Sequence, residues 1–77
     1  MNFISDNRSD SDKELFFGLD EEFTIIKNGW IMAHILHAAG IFPSVSQARK
    51  NGWNTPIPNG FNIIVAGKKR KEIFILN

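Results

Sequence analysis

Apolar residues between positions 30 and 39 recur with the spacing of an amphipathic helix. The set forms two rows in which members lie four and then three positions apart, and the two rows are adjacent on one side of a helix. The set consists of Ile31, Met32, Ile35, Leu36, Ala38 and Ala39. Gly40 follows and suits the left-handed residue that often ends a helix. We therefore predict a first helix over residues 30–39.

A second, shorter helix is predicted over residues 45–51. Ser44 is a preferred N-cap, and Gln47 stands at the third helical position, where the pair can form a capping box. Gly52 is a typical residue to close this helix. The two helices are separated by only a few residues, so we expect a compact helix-turn-helix pair.

The C-terminal part of the chain has the pattern of a β-hairpin. Residues 61–66 and 73–76 are rich in β-forming residues, and residues 67–71 connect them. A lone hairpin is marginally stable, so it must pack on the helices or join another strand. Residues 23–27 are either a short strand or an early helix start. The predicted fold class is α+β, with the helix pair packed on a small, mostly antiparallel sheet.

The N-terminal part has a different pattern. Residues 1–13 are rich in Ser, Asp and Asn, and we predict that they form a flexible, disordered acidic leader before a single domain over residues 14–77. Acidic and apolar residues then alternate, and Phe16, Phe17 and Leu19 are candidates for docking to a partner. Packing against the domain is the favoured role, because exposed phenylalanines are costly in a small protein.

The amino-acid composition limits the classes of protein to which this chain can belong. The chain has 77 residues, enough for one domain, and 43% of them are hydrophobic, which is inconsistent with a wholly disordered chain. It contains no cysteine, so disulfides and thiolate metal sites are excluded. No apolar run approaches the about 20 residues needed to span a bilayer, and the first residues do not resemble a signal peptide. We expect a cytoplasmic protein without a membrane partner.

Charge is distributed asymmetrically. Residues 1–22 contain seven acidic and two basic residues, a net charge of −5. Residues 23–77 contain one acidic and seven basic residues, a net charge of +6. This separation is typical of a domain that binds a polyanion and carries an acidic tail, although a solvated surface with a solubilising leader would have the same charges.

Two sequence motifs carry a family resemblance. Residues 36–50 read Leu-His-Ala-Ala-Gly-Ile-Phe-Pro-Ser-Val-Ser-Gln-Ala-Arg-Lys, and residues 59–71 include a Gly-Lys-Lys-Arg-Lys turn between apolar strands. Together they resemble the small RNA-binding domain named after ribosomal small-subunit protein S-four, and most closely its version at the C-terminus of bacterial tyrosyl-tRNA synthetases. The resemblance covers residues 30–77. Residues 51–58 depart from the family pattern, since they end the second helix early and replace a short strand.

The resemblance and the basic charge together predict an RNA-binding surface on the second helix and the hairpin turn. Its candidate residues are Ser44, Ser46, Gln47, Arg49, Lys50, Lys68, Lys69, Arg70 and Lys71. Clustered cations release counterions when they neutralise phosphates. Each prediction has a plainer alternative: capping explains Ser44 and Gln47, Arg49 can be a solvated helix cation, and the basic turn can simply discourage edge pairing.

The remaining polar and aromatic residues do not form a catalytic site. His34 and His37 have the spacing of a zinc-binding pair, but third and fourth ligands are missing, so we expect no metal. Trp53 is either part of the core or a platform for an RNA base. The acids are concentrated in the predicted leader, where they cannot form a rigid acid–base pair. We expect no enzyme activity and no cofactor.

The predicted function is therefore non-catalytic binding of nucleic acid, with structured RNA as the expected ligand. The first alternative is a small protein-interaction subunit or inhibitor that docks on a larger complex through Phe16, Phe17 and Leu19. A second alternative is binding of duplex DNA by the helix pair, for which the second helix looks short.

Overall fold

The computed structural model describes residues 1–5 and 22–77. Within these residues the elements, in chain order, are β1 (Asn2–Ser5), β2 (Thr24–Ile26), α1 (Met32–Ala38), α2 (Val45–Ala48), β3 (Phe61–Ala66) and β4 (Lys71–Leu76). A kinked turn, Arg49–Trp53, follows α2, and within it Asn51 and Gly52 leave the helical conformation, with Gly52 at a φ of +93°. The α+β class with two helices is confirmed. None of the helices in the described part of the chain is long and apolar enough to cross a membrane.

The four strands form one mixed sheet with the order β2-β1-β4-β3. Strands β3 and β4 are antiparallel, and this pairing is the predicted hairpin. Strand β1 lies between β2 and β4 and is parallel to both. Two of the three strand pairings are parallel and only the predicted hairpin is antiparallel, so the sheet is mixed, whereas a mostly antiparallel sheet was predicted.

The N-terminal strand corrects one prediction. The flexible leader was predicted over residues 1–13, but Asn2–Ser5 is an inner strand of the sheet. Its side chains Phe3 and Ile4 are both 0% exposed. An inner strand buries both of its faces, so two adjacent apolar residues are enough, and no alternating pattern announces it. Residues 6–21, which include the rest of the predicted leader and the candidates Phe16, Phe17 and Leu19, lie outside the described residues.

The main core lies between α1 and one face of the sheet. Helix α1 contributes Met32, Ala33, Ile35 and Leu36, all buried. From the sheet, the side chains of Phe3, Ile26, Ala66, Ile73 and Ile75 belong to the same cluster. A smaller apolar cluster on the other face contains Ile4 and Leu76. Of the predicted apolar face, Met32, Ile35, Leu36 and Ala39 are buried and Ile31 is partly buried. Ala38 is exposed, and Ala33, which was not predicted, is buried instead.

The first helix begins two residues later than predicted and ends one residue earlier, at Ala38, with Ala39 as its C-cap. Ile31 is extended, with φ −117° and ψ 179°, and its backbone N–H donates to Nδ1 of His34 over 3.0 Å. The His34 ring also stacks on Trp30, with 5.7 Å between ring centroids. At the C-terminal end, Gly40 has a φ of +80°, the left-handed conformation that glycine adopts without a steric penalty.

The second helix is shorter than predicted. The Ser44 hydroxyl accepts a hydrogen bond of 3.1 Å from the Gln47 backbone N–H, which confirms the N-cap. Helical hydrogen bonding of the α type ends at Ala48 instead of residue 51. Asn51 explains part of the difference, because its side-chain Nδ2 donates to the Gln47 carbonyl over 2.7 Å. That carbonyl would otherwise accept from the next turn of an α-helix.

The segment after the second helix is irregular and held at a few points. The Thr55 carbonyl accepts from the Met32 N–H over 2.9 Å, which ties this segment to the start of α1. Trp53 and Ile57 are partly buried and pack against the main core. Trp30 does the same. Trp53 was predicted to be either part of the core or a platform for an RNA base, and the structure shows it packed against the core.

Candidate nucleic-acid interface

The hairpin turn presents three cations to solvent. Gly67 has a φ of +84°, and its carbonyl accepts a hydrogen bond of 3.1 Å from the Arg70 N–H, which closes a tight turn over residues 67–70. Lys68, Lys69 and Arg70 are all exposed. Lys71 was predicted in the connection, but it is the first residue of β4. We refer to residues 67–70 as the basic turn.

Arg70 has an unusual backbone conformation. Its φ of +53° is the only positive value at a non-glycine position in the described part of the chain. The left-handed region costs an ordinary L-residue about 1–2 kcal/mol because Cβ crowds the following carbonyl oxygen. A glycine or asparagine would close the turn with less strain, so the arginine is retained at a cost in stability.

The basic turn packs against the connection between the helices. A Cβ added to Gly67 would lie 3.4 Å from Cγ2 of Ile41, so the turn and the connection are already in close contact. Lys71 strengthens this contact, because its Nζ donates to the Ala39 carbonyl over 3.1 Å. These contacts fix the position of the basic turn relative to the end of α1.

The helix connection has its own internal support. The Ile41 N–H donates to the Leu36 carbonyl over 3.1 Å, and the Gly40 N–H donates to the His37 carbonyl over 2.9 Å. Nδ1 of His37 lies 3.0 Å from the Phe42 carbonyl oxygen. The positions of Ile41 and Phe42 are therefore set by the backbone that ends α1.

A groove of about 670 Å³ lies between the helix connection and the basic turn. Its apolar lining comes from Ile41, Phe42 and Ala66, and its cationic lining comes from Lys68, Lys69 and Lys71. Gly40 and Gly67 complete it. We refer to this groove, defined by these residues, as the basic groove. Its chemistry combines a partly buried aromatic ring with ammonium groups.

The predicted site residues divide into two groups. Lys68, Lys69 and Lys71 line the basic groove, whereas Arg70 projects from the same turn outside it. The candidates of the second helix and the turn after it do not line the groove; they are Ser44, Ser46, Gln47, Arg49 and Lys50. All of them except the partly buried Ser44 are exposed. In the structure, the lysines of the hairpin therefore lie beside the connection between the helices, and the candidates of the second helix lie outside the groove.

Sequence reasoning missed Ile41 and Phe42 as site residues. They were interpreted only as a tight connection between helices, because their apolar character gives no signal of contact with a ligand. The available signal was positional: they directly follow the glycine that ends α1, and exposed loops beside a helix end commonly carry binding residues.

The electrostatic environment of the groove is basic. Residues 22–77 contain seven lysines and arginines and only two acids, Glu22 and Glu72. Glu72 follows Lys71 on β4, and its backbone carbonyl accepts from the N-terminal ammonium group of Met1 over 3.0 Å. Within residues 1–5 and 22–77 no group of three His, Cys, Asp or Glu side chains is arranged to hold a metal ion.

Comparison with known proteins identifies no protein similar to this chain. No family model matches the chain, and neither the curated proteins nor the solved structures contain a significant match.

Proposed function

We propose that the chain is a non-catalytic module that binds structured RNA through the basic groove. The observation that carries the proposal is that Phe42 and three lysines line the same groove. Lysine ammonium groups neutralise phosphates, and aromatic rings stack on unpaired bases. Structured RNA presents both features in its loops and bulges.

The dimensions of the second helix favour RNA over duplex DNA. Helix α2 has four residues and is therefore about 6 Å long. Helices that read the major groove of DNA present several successive side chains to base edges. A helix of this length is poorly suited to that role, whereas a short basic turn beside an apolar loop suits a splayed RNA strand.

The strain at Arg70 also supports a binding role for the turn. Residues held in sparsely populated backbone regions cluster at functional sites. A turn that only had to be closed would be served by glycine at this position, and one that only had to be soluble already has Lys68 and Lys69. The proposed role of Arg70 is a phosphate contact beside the groove.

The resemblance to the S-four type of RNA-binding domain is part of the proposal. In that interpretation Ser46, Arg49 and Lys50 extend the RNA surface beyond the groove, and all three are exposed. The Ser44 hydroxyl has a structural role, because it caps α2 by accepting from the Gln47 backbone N–H. A cytoplasmic location belongs to the same proposal, because a chain without cysteine is compatible with a reducing compartment.

Binding to a panel of nucleic acids tests the proposal. An RNA hairpin with a loop, an unstructured RNA and a DNA duplex are titrated with the protein at low salt. We expect the RNA hairpin to bind most tightly. Absence of binding to all three would overturn the proposal, and a partner protein contacted by Phe16, Phe17 and Leu19 would then become the leading alternative.

A further inference from the structure

Among the described residues, strand β3 is the last strand of the sheet and has no neighbour on its outer side. It pairs with β4 on its inner side. Its sequence, Phe-Asn-Ile-Ile-Val-Ala, contains no charged residue and no proline. Ile63 is 57% exposed and Val65 is 51% exposed. Natural edge strands usually carry charges, prolines or bulges that discourage pairing, and this strand carries none of these within its six residues.

The hydrogen bonds of β4 show which way the backbone of β3 points. The Phe74 N–H donates to the Met1 carbonyl over 2.8 Å, and the Glu72 carbonyl accepts from the Met1 ammonium group over 3.0 Å. Phe74 and Glu72 therefore direct their backbone groups toward β1. In an antiparallel pair, residues opposite each other either exchange both bonds or exchange neither.

The residues opposite Phe74 and Glu72 are Ile63 and Val65. Because Phe74 and Glu72 face β1, Ile63 and Val65 form the pairs that exchange no bond with β4. Their N–H and C=O groups are directed to the outer edge of the sheet. The two most exposed large apolar side chains of the described residues thus belong to the two residues whose backbone faces that edge.

We infer that β3 pairs antiparallel with β3 of a second copy of this chain, forming a continuous eight-stranded sheet. The pairing is centred on Ile64, so that Ile63 exchanges backbone hydrogen bonds with Val65 of the second copy and Val65 with Ile63 of the second copy. The strand is self-complementary in this register, because each outward donor meets an outward acceptor. The opposed Ile and Val side chains form β-branched cross-strand pairs.

Charge selects the antiparallel arrangement. In this register Lys68 of one copy lies beside Gly60 of the other, so the two basic turns are separated by about 27 Å along the strands. This distance exceeds the Debye length of about 8 Å at physiological ionic strength. A parallel arrangement would place the two basic turns side by side and would be opposed by repulsion.

The interface is small. One pair of six-residue strands buries less than the about 1,200 Å² of a stable interface, so the dimer is weak and depends on protein concentration. A protein that is monomeric when dilute and dimeric when concentrated is the expected behaviour.

Sedimentation velocity of the full chain, without nucleic acid, tests the inference. Val65→Pro removes one outward N–H, a change that an edge strand tolerates because that N–H faces solvent. Val65→Thr is the matched control, since it keeps the N–H and the β-branched shape. Ile63→Lys places a cation at the edge. We expect dimers for the wild type and Val65→Thr at high concentration, and at least a tenfold weaker association for Val65→Pro and Ile63→Lys.

Cross-linking tests the register directly. The chain contains no cysteine, so an Ile63→Cys/Val65→Cys variant carries only the two introduced thiols. Directly opposed residues in such a pair have Cα atoms about 5.5 Å apart, which a disulfide can bridge. Oxidation should therefore yield a covalent dimer. Circular dichroism verifies that each variant is folded.

Two results would overturn the inference. One is a wild-type chain that remains monomeric at every concentration, which would leave a strand of a different protein as the occupant of this edge. The other is a dimer that persists unchanged in both Val65→Pro and Ile63→Lys, which would place the contact elsewhere. The measurement contains no RNA, so its outcome is separate from that of the proposed function.

Discussion

The ammonium group of Lys71 donates a hydrogen bond of 3.1 Å to the backbone carbonyl of Ala39. Ala39 is the C-cap of α1, so the bond joins the end of the helix to the first residue of β4. A cation at this position also interacts favourably with the negative end of the helix dipole. Lys71, one of the predicted nucleic-acid-binding residues, therefore has a structural role and also lines the basic groove.

Replacement of Lys71 is expected to reduce stability. Lys71→Met keeps most of the aliphatic stem and removes the donor, which should lower the free energy of unfolding by about 1–2 kcal/mol. The matched control is Lys69→Met in the same turn, which should change it by less than about 0.5 kcal/mol. Urea denaturation measures both values. If the two substitutions lowered the free energy of unfolding equally, the hydrogen bond from Lys71 to Ala39 would make no specific contribution to stability.

Replacement of Arg70 should separate stability from binding. Arg70→Gly relieves the strain of the left-handed conformation, so we expect the free energy of unfolding to rise by up to about 1 kcal/mol. The same change removes a cation and should weaken RNA binding. Denaturation and RNA titration are measured on the same variant, with Arg70→Lys as the control that keeps both the charge and the strain. A gain in stability with unchanged RNA affinity would remove Arg70 from the proposed surface.

The N-terminal strand should be essential for folding. Phe3 is 0% exposed and lies in the main core, so Phe3→Ala should lower the free energy of unfolding by about 3–5 kcal/mol. In a domain this small, such a loss amounts to most of the stability. Ile63→Ala, at a residue that is 57% exposed, is the control and should cost far less. Thermal unfolding followed by circular dichroism compares them, and similar melting temperatures would contradict the position of β1.

The Ser44 hydroxyl should act mainly on stability. It already accepts a bond from the Gln47 N–H, so Ser44→Ala should lower the free energy of unfolding by about 1 kcal/mol. Ser46→Ala is the matched control in the same helix and removes an exposed hydroxyl that has no cap role. If the two substitutions changed the unfolding free energy equally, the cap would be unimportant.

Several elements could be predicted from the sequence because local signals agreed with the tertiary structure. The period of apolar residues placed α1 within two residues of its start, and Ser44 marked the start of α2. The hairpin was predicted because two β-rich runs are joined by a short polar turn. In each case the pattern that forms the element is contained in the element itself.

Other features depend on contacts that are distant in sequence. Strand β1 has only four residues, and its burial comes from β2 and β4, which begin about 20 and 70 positions later. The basic groove forms only when the basic turn packs on Ile41, so the proximity of Phe42 to the lysines of the groove depends on the fold, although its place after the glycine that ends α1 was visible in the sequence.

The most direct test of the proposed function is the salt dependence of RNA binding. The affinity for an RNA hairpin is measured over a range of salt concentrations for the wild type and for a Lys68→Ala/Lys69→Ala variant. Lys27→Ala is the control, because Lys27 is exposed and does not line the groove. Each lost phosphate contact reduces the slope of log affinity against log salt by about 0.7–0.9. We expect the double variant to bind RNA more weakly than the wild type, with a slope about 1.5 shallower. The Lys27→Ala variant should keep most of the wild-type affinity and most of the wild-type slope. Identical slopes for the double variant and the wild type would contradict RNA binding through the basic groove.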